Sequence, residues 1–224
     1  MRALNMVVCI KPVPDSQYWD RLSLDPKTKL LRREGIPIII NPLDKNALEE
    51  ALRIREARGG KITVISMGPP NTVEVLSSAY ALGADDAVLL TDRAFAGADT
   101  LATAYALASG IKKSGKFDLI LLGNESLDGS TAQVGPQVAE LLDIPSVTSV
   151  EKIDFTDDNT LQVRAKIEFG YMTIETKVPA VLAVTKEINE VRIPSVFGAL
   201  WATEKEVKTW SADDLGANQK KVGL

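Results

Sequence analysis

The sequence predicts an α/β fold: a doubly wound, mainly parallel sheet with an antiparallel extension and a C-terminal arm. Three observations carry this. Residues 6–142 alternate short apolar runs with stretches of helical periodicity, the pattern of strands joined by right-handed crossovers. The runs MVVCI (6–10), ITVIS (62–66), AVLL (87–90) and LILL (119–122) are nearly unbroken, as burial on both faces requires. After Pro145 the pattern changes, and LQVRAKIEF (161–169) and YMTIETKV (171–178) alternate as antiparallel strands with one wet face.

Taken in order, the first strand is 6–10, and KPVPD breaks it with Pro12 and Pro14. Residues 24–40 read as a turn, a short polar strand and an apolar one, an edge hairpin. Asn41 and Pro42 open the first helix, with Asp44 in its first turn. Leu43, Ala47, Leu48, Ala51 and Leu52 form its apolar face, and Gly59-Gly60 ends it. Strand 62–66 leads to the turn MGPPN, where Asn71 is expected to cap a helix with Glu74 three residues on, stopped by Gly83. Strand 87–90 leads to the polar turn DRAFAGADT. Asp99 is the expected N-cap of helix 100–113, with Leu101, Ala104, Tyr105, Ala108 and Ile111 inward and Lys112 and Lys113 at its negative end.

Residues 117–143 form the centre of interest. A buried strand (119–122) is followed by a polar turn (123–131), then by Val134, Val138, Leu141 and Leu142 at helical spacing. The turn exceeds the roughly 2–6 residues usual for βα loops, which favours function. Ser130 and Gln133 have the capping-box spacing. Pro136 lies beyond the first turn of a helix capped at Ser130, so either that turn is loose or the regular helix starts later. Further strands are expected at 147–153, 161–169, 171–177 and 180–185, with turns at 157–159 and Gly170. From Ile188 the chain mixes Pro, Gly and aromatics; it suits an arm reaching away from the body as well as a terminal helix packed on it. The expected division is 1–187, an α/β body with antiparallel strands from about residue 146, and 188–224, a docking loop and arm.

The chain has 224 residues, 45% hydrophobic and 25% charged, ordinary for a globular protein with a proper core. A net charge of -4 gives no footprint for nucleic acid, and no segment has the apolar length of a membrane span. Residues 1–10 are too short for a signal peptide, which points to the cytoplasm, or an organelle matrix in a eukaryote. With no histidine, a Ser-His-Asp triad and His-ligated metals are excluded. Cys9 is the lone cysteine, so no internal disulfide, CxxC pair or cysteine-held cluster can form; within VVCI it reads as a buried structural thiol.

Familiar motifs fail. No G-x-G-x-x-G occurs. GIKKSGK (110–116) resembles a P-loop, but Phe117 replaces the required Ser/Thr and the context is helix-to-strand. Asn124-Glu125-Ser126 matches a glycosylation acceptor, which means little without a secretion signal. Asp25, Asp44, Asp99 and Asp128 form no recognisable carboxylate pair, and no catalytic residue and no metal ligand is assigned. The turns KPVPD, MGPP and GNESLDGSTAQ remain, each after a strand, where a ligand at a sheet's switch point would be touched.

These residues resemble the β subunit of an electron-transfer flavoprotein over nearly the whole chain. The resemblance rests on VVCIKPVPD, INPLDKNALEEALRIRE, SMGPPNTVEVLSSAYALGADDAVLL, DRAFAGADTLATA, DLILLGNESLDGSTAQVGP and PSVFGAL, in that order. It implies an adenine-nucleotide-binding α/β domain and a heterodimer with a larger α subunit that holds the electron-carrying FAD. It implies nucleotide contacts at Cys9, Lys11 and Pro12, at Asn41 and Asp44, and at Ser66 and Met67. The loop from Gly123 follows, through Asn124, Glu125, Asp128, Gly129, Ser130, Thr131, Ala132 and Gln133 to Val134, with backbone N–H groups near 130–133 taking phosphates.

In the ordinary form of the family this nucleotide is structural AMP. In the bifurcating form it is a second FAD, which takes a hydride from NADH and sends its electrons along two routes. The chain resembles the bifurcating type in MGPP, DRAFAGADTLATA and DGSTAQVGP, which implies FAD, places Thr100 and Thr103 near the flavin and makes NAD a substrate. The loop reads GNESLDGST where many members carry Gln-Ala or Gln-Ser before Ile/Thr-Asp, so Asn124 and Glu125 are expected to alter local hydrogen bonding. Relatives continue past KVGL through a Ser-Pro-Thr segment into an arm that meets the α subunit. The family's docking loop for a partner dehydrogenase, of the acyl-CoA type, corresponds to Arg192, Pro194, Val196, Phe197 and Leu200, with Val196 at the leucine-like anchor. Two rivals stand beside this expectation: a scaffold subunit binding only AMP, and an adenine-nucleotide hydrolase or stress-type ATP binder.

Overall fold

Apolar residues on both faces of LNMVVC place β1 (Leu4–Cys9) at the heart of the sheet; the computed structural model describes residues 2–21, 23–24, 31–32 and 35–223. Alternation then divides the core. Leu4, Met6 and Val8 pack on one face against helix α1 (Pro42–Arg58) and helix α2 (Val73–Leu82). Val7 and Cys9 pack on the other against α3 (Thr100–Ser114) and α4 (Val134–Leu142).

The chain winds outward from β1 through α1 to β6 (Gly60–Met67), then through α2 to β7 (Asp86–Leu90), all parallel. It returns over α3 to β8 (Leu119–Gly123), which pairs with the opposite side of β1. Strand order therefore reverses between β1 and β8, the position where open α/β sheets bind ligands at their carboxyl ends.

Beyond α4 come β9 (Ser146–Phe155), β10 (Thr160–Ile167), β11 (Gly170–Lys177) and β12 (Ala180–Val184). The antiparallel part continues the main sheet: β12 lies between β8 and β9 and is parallel to both, while β10 is antiparallel to β9 and β11. The hairpin turns at Glu168-Phe169, with Gly170 following at φ +116°.

The expected edge hairpin over 24–40 is not made within that segment. β2 (Pro12–Pro14) pairs with β5 (Ile38–Ile40), and β3 (Ser23–Leu24) with β4 (Leu31–Arg32). The turn expected near Asp25 lies outside the described residues. Asn71 does not cap α2: a short 3-10 turn, Pro70–Thr72, precedes it, and the N-cap is Thr72. Gly83 ends α2 and Asp99 caps α3, its carboxylate accepting from Ala102 N at 2.8 Å. Leu101 is 56% exposed rather than inward, and Leu107 takes the buried position. α4 starts late, at Val134, so Pro136 falls in its first turn, where it lacks no needed donor. The Ser130–Gln133 capping box does not form; the Ser130 hydroxyl donates to Ser126 O at 3.1 Å.

The tail returns to the body. α5 (Val196–Thr203) packs on α2, and β13 (Lys208–Trp210) pairs in parallel with β7 at the sheet edge. Buried Tyr80 joins these parts, its hydroxyl accepting from Ala87 N at 2.8 Å and donating to Glu206 O at 3.0 Å. Asp92 accepts from Ala94 N and Ala212 N, each at 3.0 Å, and so ties the turn after β7 to the tail. Among the described residues, no helix is long and apolar enough to cross a membrane.

Candidate cofactor-binding cleft

The two strands at the switch point end in different loops, and α1 starts beneath both. Asp44, in its first turn, is buried and accepts from both loops: Oδ2 from Lys11 N and Oδ1 from Gly123 N, each at 2.8 Å. Only glycine fits at 123, because an added Cβ would stand 2.6 Å from Asp44 Oδ1 and 2.6 Å from Leu43 Cβ. Asn41 is the N-cap by position, yet its side chain leaves the helix end alone. Nδ2 donates to Glu125 O at 2.9 Å and Oδ1 accepts from Leu127 N at 3.0 Å, so Asn41 clasps the loop after β8. Lys11 Nζ reaches across the mouth to Asp128 Oδ1 at 2.6 Å and Ser126 Oγ at 3.1 Å. Asn124 uses Oδ1 to accept from Ser149 N at 2.9 Å, where β9 is irregular and φ is +54°.

The loop then turns through two non-glycine residues at positive φ, Ser130 (47°) and Ala132 (53°). Such conformations cost energy and collect where a site needs them. Gln133 follows in the right-handed region, so consecutive amides in left- then right-handed conformation converge as an anion-binding concavity. Among the described residues, nothing accepts from the backbone N–H groups of Thr131 through Gly135. They open α4, where the helix dipole also favours an anion. Thr100 Oγ1 donates to Gln133 Oε1 at 3.0 Å and accepts from Gln137 Nε2 at 3.3 Å, binding the starts of α3 and α4 together.

These groups border one cleft of about 540 Å³, within the size range of cofactor sites. It brings together Cys9, Lys11, Asn41, Asp44, Met67, Thr100 and Thr103. Gly123, Asn124, Glu125, Gly129, Thr131, Ala132, Gln133 and Val134 line it too. Pro12, Ser66, Asp128 and Ser130 stand outside its wall. Pro12 is buried in β2, Asp128 accepts from Lys11 Nζ, and the Ser130 hydroxyl is turned back onto Ser126 O. Ser66 is buried where its neighbours on β6, Ile65 and Met67, face the α3 side, so the pleat turns Ser66 to the other. The sequence missed Phe95, Ala98, Asp99 and Leu107, which extend the cleft along α3, and Gly135. The long turn 92–99 after a buried strand was the available signal.

Burial is the largest influence on Asp44 and pushes its carboxyl up to about 6, against the amide hydrogen bonds and Lys11, which favour the charged form. Burial, then the neighbouring Asp44, pushes the Cys9 thiol up to about 12, leaving it without thiolate at neutral pH. The arrangement is suited to gripping and positioning a ligand with an anionic group, not to nucleophilic attack.

A second surface lies apart from the cleft. Ser195 caps α5, accepting from Gly198 N at 3.0 Å, and α5 turns Val196, Phe197, Leu200 and Trp201 to solvent beside Ile193, with Phe197 84% exposed. Pro194 is exposed as well. Arg192 differs: its guanidinium is committed to Glu49 and Glu56 of its own chain.

The family described as electron transfer flavoprotein domain matches residues 28–215. The electron transfer flavoprotein subunit beta of Thermoanaerobacterium thermosaccharolyticum is 53% identical over 222 residues, 99% of this chain and 84% of that protein. Its namesake from Clostridium acetobutylicum is 51% identical over 221 residues, 99% of this chain and 83% of that one. Subunit CarD of the caffeyl-CoA reductase-Etf complex of Acetobacterium woodii is 45% identical over 222 residues, 99% and 83%. With a matching family over most of its length and relatives above half identity along nearly all of it, the chain belongs to the electron transfer flavoproteins, among their β subunits.

Proposed function

We propose that this chain pairs with a larger α subunit and holds FAD in the cleft at the β1–β8 switch point, as part of a bifurcating carrier. Electrons would pass between NADH or an acyl-CoA-type dehydrogenase and an acceptor. The observation that carries this reading is the run of amides from Thr131 to Gly135, without an acceptor among the described residues, folded around Ala132 at positive φ and lining a cleft that continues past them along α3. In this reading those amides take phosphate oxygens, while Asn41, Asp44 and Lys11 hold the loops in place around them. Thr100 and Thr103 line the further part, where the flavin rings would lie. When bound, a flavin supplies the electron-carrying chemistry; the protein supplies position, exclusion of water and local charge. The likeness to CarD, named as part of a caffeyl-CoA reductase-Etf complex, supports a partner of the acyl-CoA type. We assign docking of that partner to Val196, Phe197 and Leu200 on the exposed face of α5.

The test is to co-express the chain with its α subunit, release nucleotides from the purified complex with acid, and count them. Two FAD per heterodimer is the expected result, with NADH reducing the complex. One FAD and one AMP would make this chain a scaffold and remove the flavin role of Thr100 and Thr103.

A further inference from the structure

Residues 189–192 run along α1 and are stapled to it. Asn189 Nδ2 donates to Asn46 O at 3.0 Å and to Glu50 Oε2 at 2.9 Å, and Asn46 Nδ2 donates back to Asn189 O at 3.0 Å. Arg53 Nη2 donates to Glu190 O at 3.1 Å. Arg192 closes the run. Its Nε donates to Glu49 Oε2 at 2.7 Å, its Nη2 to Glu49 Oε1 at 3.1 Å, and its Nη1 to Glu56 Oε1 at 2.6 Å. The Glu49 side chain is 4% exposed. Glu49 and Glu56 are two turns apart on one face of α1, and a planar guanidinium can bridge them while holding one in a bidentate fork. Only Ile193, Pro194 and Ser195 separate this clamp from α5; Ile193 is 89% exposed, and among the described residues no hydrogen bond ties these three to the body before the helix begins.

We propose that Arg192 is a positioning residue for partner docking: its fork on Glu49 and Glu56 sets where the apolar face of α5 stands, and it does not itself touch the partner. This rests on the docking role assigned above to α5. The geometry separates the tasks. Arg192 spends its donors inside the chain, whereas Val196, Phe197 and Leu200 make no comparable internal contacts and face outward. An exposed apolar patch binds more tightly when it is held in the bound orientation beforehand, since ordering it on contact subtracts from affinity.

The test uses the co-expressed α/β complex with Arg192→Met, Arg192→Lys and Phe197→Ala, and a short-chain acyl-CoA dehydrogenase as the probe. Arg192→Met should speed hydrogen exchange of α5 amides roughly tenfold, leaving α2 amides and bound nucleotide at wild-type values. It should raise the apparent KM for the dehydrogenase about tenfold with kcat little changed. Arg192→Lys, which cannot form the fork, should recover only part of both losses. Phe197→Ala should raise KM without speeding exchange. Wild-type exchange and KM in Arg192→Met would overturn the proposal. If Phe197→Ala leaves KM unchanged, the docking role of α5 falls, and exchange alone decides whether Arg192 positions the helix. Should Arg192→Met fail to assemble, Glu56→Gln, which removes only the more exposed partner, should speed α5 exchange in the same direction; no change there would overturn the proposal equally.

Discussion

Asp44 accepts from two amides that belong to different strands, and the chemistry of its replacement follows from that. In Asp44→Asn one of the two amides, at Lys11 or Gly123, faces an NH2 group and loses its acceptor. The cost should be about 1–3 kcal/mol, seen as a lower midpoint in urea or thermal unfolding. Burial raises the Asp44 pKa from 3.8 to about 6, so between these values the folded chain binds more protons than the unfolded one. The stabilisation is full below about pH 4 and is lost as pH rises through about 6, a swing on the order of 3 kcal/mol. The melting-temperature gap between wild type and Asp44→Asn should therefore shrink from pH 4 to pH 6.5 and stay level above; a level gap throughout would mean Asp44 keeps an ordinary pKa. Cys9, buried with its thiol near 12, should react with a disulfide reagent only after denaturation. At this scale the sequence placed Asn41 and Asp44 at a helix start but could not show their partners, because these lie more than thirty residues away in the loops after β1 and β8. Ser66 shows the converse: it follows directly after a strand's apolar run, yet the pleat of β6 turns it from the cleft.

Elements were legible where local chemistry decides them. The caps and stops at Asp99, Gly83 and Gly59 depend on neighbours in sequence, and α3, α2 and α1 begin or end there as expected. Where a distant partner decides, periodicity was not enough. Leu101 has the spacing of an inner residue, but only the direction of α3 against the sheet shows that Leu107 is the one inside. The strand 38–40 pairs not with a neighbour in its own segment but back to Pro12–Pro14, whose prolines confine that strand to an edge position. The tail's α5 and β13 use α2 and the free edge of β7, which local pattern does not describe. The contact of β8 with α1 gives an element-scale prediction. In Gly123→Ala the new methyl meets both Asp44 Oδ1 and the backbone of Leu43 at 2.9 Å or less, so the N-terminus of α1 must shift away. A loss of roughly 1–3 kcal/mol in thermal unfolding is expected, together with weaker retention of nucleotide. Gly198→Ala should act likewise on α5, since its Cβ would stand 2.3 Å from Ala81 O, and near-wild-type stability there would mean α5 has slack against α2.

For the whole molecule, one sheet divides two tasks. Its carboxyl ends gather the loops after β1, β7 and β8 around the cleft, and the α1–α2 face carries α5 with its outward apolar side chains. The sheet itself was legible because burial on both faces writes apolar runs into the sequence; the cleft was legible only in part, because it is assembled from turns whose common feature is spatial. Beyond the buried Asp44, the loops are joined by the Lys11–Asp128 pair at the surface and by single hydrogen bonds, contacts of modest worth in water. A ligand that pairs the amides of 131–135, which find no acceptor among the described residues, and spans β1 to β8 must then stabilise the folded chain by mass action. At a free concentration a hundredfold above its dissociation constant, the gain is about 2.7 kcal/mol. For a chain of this size each kcal/mol moves the midpoint roughly 2–4 °C, so nucleotide added to stripped protein should raise it by roughly 5–11 °C. FAD and AMP share the adenosine phosphate that the loop amides would grip, so both should shift the melt. If the cleft beside Thr100 and Thr103 holds flavin rings, FAD should reach a given shift at lower concentration than AMP, and Thr103→Val should narrow that difference without changing the response to AMP. No shift with either nucleotide would remove the cleft from consideration as the cofactor site.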